Sequence, residues 1–428
     1  MSAEYIALII LVVSIIALLT DKVPMSVVGI FIMAAFYLTG IMDFKEVTSV
    51  DTNSSTLLAA IMFLFSGAMF DVGIAQAIGK QTVRLVGQKK NGDIIVLGII
   101  MLITILMCLF LPHFATAAVL MPVMISISSQ TKISRSTTLM IMAMTTSFGG
   151  SITLIGTTTN ILANGVLEDA GMKGFAFFDF AWIGLPCAVI GAIIMLLLYK
   201  KLIPSRYVED GSESAKLEEI QDQENLKKRQ IITGVTFGIF VLSIVFEKTT
   251  NISSSMVGMI CVGILFVTKA FPEKKAFQSI NWPTLIFICG ILTLSNGLLS
   301  TGASDLIANS VFSLLGDTPS PYIIITVLFF ISATLTQFIS NTGAAGLLFP
   351  VGFALAAGLS ADPRAITMAI CIGCNSSFMT PIATPANTII TIPGHLKFSD
   401  WLKAGLPFLL MTYVLVVLII PAVWPFYS

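Results

Sequence analysis

Charge is scarce in this chain of 428 residues: Asp, Glu, Lys and Arg together make up 11% of it, less than half of the roughly 25% usual in soluble domains. That scarcity excludes a conventional water-facing surface. Basic and acidic residues balance at 23 each, which leaves no basic stripe for a nucleic-acid partner. Histidine is rarer still, limited to His113 and His395. The six cysteines, Cys108, Cys187, Cys261, Cys289, Cys371 and Cys374, all fall in apolar segments and outline no disulfide framework. Cys371 and Cys374 have C-x-x-C spacing, but no second pair or nearby histidine completes a zinc shell. Also missing are Gly-x-Ser-x-Gly, His-Glu-x-x-His and paired aspartates, so an enzyme is not expected. The first apolar run follows Glu4 rather than a basic segment, and is expected to be a retained helix and not a cleaved signal.

What the chain does have is hydrophobicity. Hydrophobic residues are 56% of it, and mean hydropathy is +0.95. Apolar runs long enough to cross about 30 Å of hydrocarbon recur from residue 5 to residue 427. The expected fold is an all-α polytopic membrane protein embedded in the lipid bilayer of the cytoplasmic membrane, without room for a sizeable soluble domain.

The chain also repeats itself. Phe110-Leu111-Pro112-His113-Phe114-Ala115 precedes Pro122 as Phe338-Ile339-Ser340-Asn341-Thr342-Gly343 precedes Pro350. Thr153-Leu154-Ile155-Gly156-Thr157-Thr158-Thr159-Asn160 then matches Thr380-Pro381-Ile382-Ala383-Thr384-Pro385-Ala386-Asn387. Asp179 with Gly184-Leu185-Pro186 matches Asp400 with Gly405-Leu406-Pro407. Paired segments rich in Gly, Pro, Thr and Asn within apolar surroundings point to a transport site made of broken helices at a repeat interface. Each half reads as five crossing helices and one re-entrant hairpin. Residues 1–203 form a first repeat with an inner hairpin at 92–130 and a broken helix at 137–164. Residues 204–229 are an acidic and basic cytoplasmic linker. Residues 230–428 form a second repeat with an outer hairpin at 321–359 and a broken helix at 365–391. Amphipathic stretches at 74–86 and 304–315 suit interfacial helices.

Five crossings per half make the second copy inverted, and charge tests this. With both termini external, nineteen of the basic residues, among them Lys80, Arg84, Lys132, Arg135, Lys200, Lys274 and Lys275, fall inside. Only Lys45, Lys173, Lys248 and Arg364 fall outside, a strong positive-inside bias.

Backbone that leaves the helix at membrane depth must be buried in protein or line a watery cavity. The breaks are therefore the candidate sites. Gly149-Gly150 and Gly156 break the first helix, and Pro381 and Pro385 the second. Ser151, Thr153, Thr157, Asn160, Asn375, Ser376, Ser377, Thr380, Thr384 and Asn387 supply hydroxyls and amides for freed backbone or a ligand, although such side chains also bond back to their own helix. No Lys or Arg lies at the tips or breaks, so an anion would be met by the amides and partial positive ends of half-helices. Helix C-termini and free carbonyls would suit Na⁺.

Ser340-Asn341-Thr342 with Gly343-Ala344-Ala345, the Thr380 to Asn387 run and the Gly156 to Asn160 run resemble the divalent anion/Na⁺ symporter (DASS) family of the ion transporter superfamily. The resemblance covers nearly the whole chain. It implies a homodimer in which hairpins and broken helices move as an elevator against a scaffold. It also implies that Asn341 and Thr342 bind substrate, with Ser340, Asn341 and carbonyls near Ser377 forming a sodium site. His113, Thr116, Ser151, Thr157, Asn160, Ser377, Thr380, Thr384 and Asn387 complete the expected substrate-binding set, and Gly149 and Gly150 a first sodium site. No cofactor is expected beyond Na⁺ as a coupling ion. The departure is at the first tip, where Pro112-His113-Phe114 replaces Ser-Asn-Thr. His113 at membrane depth is a functional candidate; protonated, it would supply the charge that sodium otherwise brings, and neutral, it would only pack. His395 reads as a surface residue.

The leading expectation is a secondary transporter of di- or tricarboxylates, Na⁺-coupled or exchanging. Sulfate fits the same chemistry. Cation/proton antiport would ordinarily need buried carboxylates, and Glu168, Asp169, Asp179 and Asp400 all lie near helix ends.

Overall fold

The computed structural model describes residues 2–20, 22–49, 54–74, 77, 92–206, 226–307, 309, 320–359 and 361–426. Most of both predicted interfacial stretches, and residues 207–225 of the linker, lie outside them. Among the described residues the chain is helical, without strands. The first half contains α1 (Ala3–Leu19), α2 (Met25–Leu38), short α3 (Phe44–Ser49), α4 (Ser54–Asp71), α5 (Asp93–Cys108), α6 (His113–Gln130), α7 (Arg135–Gly150), α8 (Thr158–Asp169) and α9 (Ala181–Leu202). The second contains α10 (Leu226–Thr250), α11 (Ser254–Val267), short α12 (Glu273–Ser279), α13 (Trp282–Thr301), α14 (Pro321–Leu335), α15 (Asn341–Gly358), α16 (Pro363–Asn375), α17 (Pro385–Thr391) and α18 (Phe398–Val423). The order is the same twice over. Two details correct the sequence reading: α10 begins at Leu226, so the last residues assigned to the linker are helical, and the matched pair α3 and α12 was not foreseen.

Among the described residues six helices, Ser54–Asp71, His113–Gln130, Ala181–Leu202, Leu226–Glu247, Trp282–Thr301 and Phe398–Val423, are long and apolar enough to cross a membrane. Their outer faces stay apolar: Leu197 and Leu418 are 75% and 64% exposed. In water such a surface would aggregate; in a bilayer it is simply solvated.

Packing repeats as the helix order does. α5 lies on α7 as α14 lies on α16, α6 on α7 as α15 on α16, and α9 packs against its own counterpart α18. The two halves also interlock, with α15 against α8 and α17 against α6. One set of contacts breaks the pattern. α15 packs on α13 and α1, and α8 on α4 and α13, whereas the equivalent approaches of α6 and α17 to α4, α10 and α13 are far sparser. The gap left beside α6 is the cavity described below.

The tightest scaffold crossing is α2 on α13, where Gly29 and Gly290 meet backbone to backbone. A Cβ at Gly29 would stand 2.7 Å from the Ile286 carbonyl oxygen, and one at Gly290 would collide with the Gly29 Cα. Small residues let membrane helices approach this closely, where dispersion and weak hydrogen bonds replace the hydrophobic drive. Gly290→Ala should therefore lower stability by about 1–3 kcal/mol through overpacking, read as a fall in melting temperature in detergent. Gly263→Ala, where nothing lies within 4 Å of the added methyl, should be neutral or slightly stabilising; equal behaviour of the two variants would refute the close crossing.

Candidate functional site

The first helix breaks over residues 151–157 and the second over 376–384. The same side chain repairs each. Asn160 donates its amide to the carbonyls of Thr153 (2.7 Å) and Gly150 (3.2 Å), seven and ten residues upstream. Asn387 donates to the carbonyls of Thr380 (3.0 Å) and Ser377 (3.0 Å), again seven and ten residues upstream. Three residues before each asparagine a threonine caps the new half-helix: the Thr157 hydroxyl accepts from Asn160 N, and that of Thr384 from Asn387 N, both at 3.1 Å. These are ordinary N-caps. Pro385, expected to break its helix, occupies the first helical position instead, where its missing N–H costs nothing.

Asn160 does more than its counterpart. Its Oδ1 accepts from Asn375 Nδ2 (2.8 Å), Thr157 Oγ1 (3.0 Å) and Cys371 Sγ (3.1 Å), which ties the first break to the second broken helix. Each hairpin is also pinned to its own break. Thr153 donates to the Leu109 carbonyl (2.8 Å) and Thr380 to that of Gln337 (2.6 Å). In the second half Gln337 adds its side chain, donating to Ser376 O (2.9 Å) and accepting from Met379 N (2.9 Å); Leu109 adds nothing comparable.

The two tips begin alike and then diverge. Ser340 caps α15, accepting from Gly343 N at 3.1 Å, while Pro112 stands at the N-cap of α6. Asn341 then corresponds to His113 and Thr342 to Phe114. Asn341 donates to Ser377 Oγ (3.3 Å) and accepts from Thr336 Oγ1 (2.8 Å), whose hydroxyl also lies 2.7 Å from Cys374 O. His113, only 9% exposed, turns its Nε2 against Gly150, so that a Cβ there would collide with the ring. Gly150 is the counterpart of Ser377. A larger side chain at one tip is thus matched by a smaller one at the break, His with Gly in the first half and Asn with Ser in the second. The exchange costs a hydrogen bond: His113 Nε2 is buried without a partner, as is Thr116 Oγ1.

A cavity of about 1190 Å³ opens between these elements. From the first half it is lined by Pro112, His113, Phe114 and Ala115 and by Thr157, Thr158 and Thr159; from the second, by Ser340, Asn341 and Thr342 and by Ala383, Thr384 and Pro385. Scaffold residues including Phe63, Ser66, Phe70 and Asn281 close it, with Asp71 and Lys275 among its lining. Asp71 is ion-paired to both Lys275 and Arg229. Across the cavity floor the Thr158 and Thr342 hydroxyls hydrogen-bond at 2.7 Å and join the two halves.

Of the residues expected to bind substrate, Asn341, Thr342, His113, Thr157 and Thr384 reach this cavity. Others do not line it. Ser151 donates back to the Ser147 carbonyl (2.9 Å); Thr380, Asn160 and Asn387 are spent on backbone carbonyls; Ser377 and Thr116 are buried. Gly149 packs against Cys108 and Ile105 and the Gly150 carbonyl accepts from Asn160; neither lines the cavity. Thr158 was missed, although its place one residue after a capping threonine was a signal for it. Gln337 was missed too, and a polar residue three before the Ser-Asn-Thr tip could have revealed it.

Because the ring of His113 fits only beside a glycine, Gly150→Ser should destabilise the protein by about 1–3 kcal/mol. Adding His113→Asn, which recreates the pair of the second half, should restore most of the loss in detergent melts. A neutral Gly150→Ser, or no rescue by the double variant, would show that the pairing is incidental.

Residues 15–373 match the family model described as a citrate transporter. The uncharacterized transporter YfbS of Escherichia coli is 30% identical over 186 residues, which are 44% of this chain but only 30% of that protein; the match spans less than a third of that relative's length. The sodium-dependent dicarboxylate transporter SdcS of Staphylococcus aureus is 22% identical over 95% of this chain and 83% of its own. The Alcanivorax borkumensis YdaH transporter superposes with a TM-score of 0.66 at 13% identity, covering 89% of this chain and 87% of that one, which shows a shared fold.

Proposed function

The chain belongs to the citrate transporter family, and from that premise we propose that it carries small carboxylate-bearing anions across the cytoplasmic membrane by an elevator motion of its hairpins and broken helices. The observation that carries this reading is the hydrogen-bonded pair of Thr158 and Thr342 in a cavity bounded by both tips. A pair of hydroxyls needs one O–H for its own bond and leaves the other to donate to an anion. The first-turn amides of α15 and α8 add donors and partial positive charge. The dicarboxylate named for SdcS gives the first substrates to try, with citrate and other tricarboxylates beside it; sulfate is the inorganic alternative.

The moving body would comprise α5–α8 and α14–α17. Its lopsided packing suits one end of a stroke, with the second tip docked on α13 and the first tip withdrawn from α4. The cavity reaches Asp71 and Lys275, on the face that the positive-inside bias assigns to the cytoplasm, which supports reading this arrangement as inward-open. The outward-open state would exchange the two sets of contacts. Scaffold helices would hold a homodimer.

Sodium would bind in the second half, where Ser377 Oγ, Thr336 Oγ1 and Asn341 Oδ1 gather oxygen around the tip, the ligand chemistry a hard cation requires. The first half places His113 and Gly150 at the matching positions and offers no side-chain oxygen there. One sodium per cycle follows, with a Hill coefficient of about one.

Two measurements test this. Thr342→Val and Asn341→Ala should each reduce uptake of labelled succinate or citrate into proteoliposomes at least tenfold while leaving the protein folded; wild-type kinetics in both variants would remove the site. For orientation, cysteines at Asn251 and Lys269 in a background without native cysteines should react with an impermeant reagent from outside and inside, respectively. Reaction of both from one face would overturn the inward-open assignment.

A further inference from the structure

The cavity has one wall that neither a tip nor a break supplies. The short helix α12 packs on α4, and its Lys275 and Gln278, one helical turn apart, are both exposed and both line the cavity. Among the described residues Asp71 and Lys275 are the acidic and basic groups of the cavity wall; Glu273 and Lys274 on the same helix lie outside that lining and balance each other. Asp71 has two cations where one would neutralise it. Its carboxylate is ion-paired to Arg229 and to Lys275. The Arg229 side chain is 16% exposed and its Nε donates to the Ala270 carbonyl at 3.0 Å, so it is held in place. The Lys275 side chain is 60% exposed. The trio therefore has one positive charge in surplus, and the surplus lies on the group that is free to move. With Lys275 turned away, Asp71 stays neutralised by Arg229, and an exposed ion pair costs little to give up.

We propose that Lys275, with Gln278 beside it, is a carboxylate-holding station on the scaffold wall, engaged by an entering or leaving anion only while the cavity faces the cytoplasm. This rests on reading the cavity as the anion site. An ammonium on a flexible stem is a point charge that takes a carboxylate in almost any orientation, and the Gln278 amide adds two N–H donors one turn away. Phe63, Phe70 and Phe271 line the same cavity, and low-dielectric walls focus the field of a charge along a cleft. The attraction grows with the number of carboxylates, so the station favours tricarboxylates over dicarboxylates, and both over monocarboxylates. Because α12 belongs to the scaffold, Lys275 stays at the cytoplasmic face under the proposed motion while the tips travel away from it. It strengthens binding on one face of the membrane alone.

Sided kinetics isolate the effect. Uptake of labelled succinate and citrate by intact cells of a host lacking its own transport of both acids reads the external KM, and uptake by inverted vesicles from the same cells reads the cytoplasmic one. Lys275→Gln should raise the cytoplasmic KM for succinate at least fivefold and that for citrate by more, while leaving both external values within twofold. Lys275→Arg, which keeps the charge, should stay within twofold of wild type on both faces. Gln278→Leu should raise the cytoplasmic KM in the same direction, so the test stands even where Lys275→Gln does not fold. A cytoplasmic KM unmoved by the two neutral variants, or equal rises on the two faces, would overturn the scaffold station while leaving carboxylate transport intact. If wild type carries neither acid from either face, the anion site itself is wrong and the station falls with it.

Discussion

Two breaks in helices deep within a membrane protein expose carbonyls and amides that must find partners in the protein or along a cavity. Everything around the cavity answers to that constraint. Each unsatisfied backbone group would cost about 1–3 kcal/mol, and Asn160 and Asn387 each take up two carbonyls while the threonine three residues earlier takes up an amide. Asn160, Asn387 and Thr380, polar residues expected to face a ligand, are consequently spent on backbone carbonyls. What the repair leaves over is one O–H of the Thr158 and Thr342 pair and the first-turn amides beside it, which under the proposed function are the groups open to a substrate. Under the proposed reading, these groups would hold an anion without a Lys or Arg beside them.

Repetition explains how the breaks stay registered, and departures from repetition explain how the two halves take on different tasks. The repairs made by asparagine and threonine are the same in both halves, down to the spacing of donor and acceptor, and Gln337 adds to them only in the second. The side chains facing inward are not. Asn341 with Ser377 forms a hydrogen-bonded, oxygen-rich corner; His113 with Gly150 fills the same volume with an imidazole whose Nε2 has no partner. The volume is conserved while the chemistry changes, because a close-packed interior tolerates changes in polarity at a tip more readily than changes in size.

Much of this was legible in the sequence. The paired Gly, Pro, Thr and Asn runs located both breaks, because the residues that stop a helix and those that mend it are chemically distinctive. The hairpin tips were equally clear, since Pro112 and Ser340 both sit where a chain turns and a helix starts. The DASS resemblance is borne out by the family match. What the sequence did not disclose was direction. Asn160 and Asn387 can face a ligand or their own backbone, Ser151 can face a cavity or its own helix, and only three-dimensional packing decides which. α3 and α12 were overlooked because six or seven residues carry too little periodicity to declare a helix, and Gln337 because its partners, Met379 N and Ser376 O, are about forty residues away.

The sparse contacts of α6 and α17 with α4, α10 and α13 follow from the same economy. In the second half the tip is held to its break by Gln337, Thr336 and Asn341 and docks as a unit on α13. In the first, Leu109, His113 and Phe114 give the tip fewer directional bonds to its break and a softer, apolar face toward α4. A tip bound to its neighbours mainly by dispersion could part from α4 without breaking buried hydrogen bonds, and under the proposed motion that side would uncover chiefly the ring of Phe114 and the methyl of Ala115. Were the hairpins and broken helices to move as proposed, the half that has lost its hydroxyls would therefore be the one that parts from its neighbours at the smaller cost in hydrogen bonds.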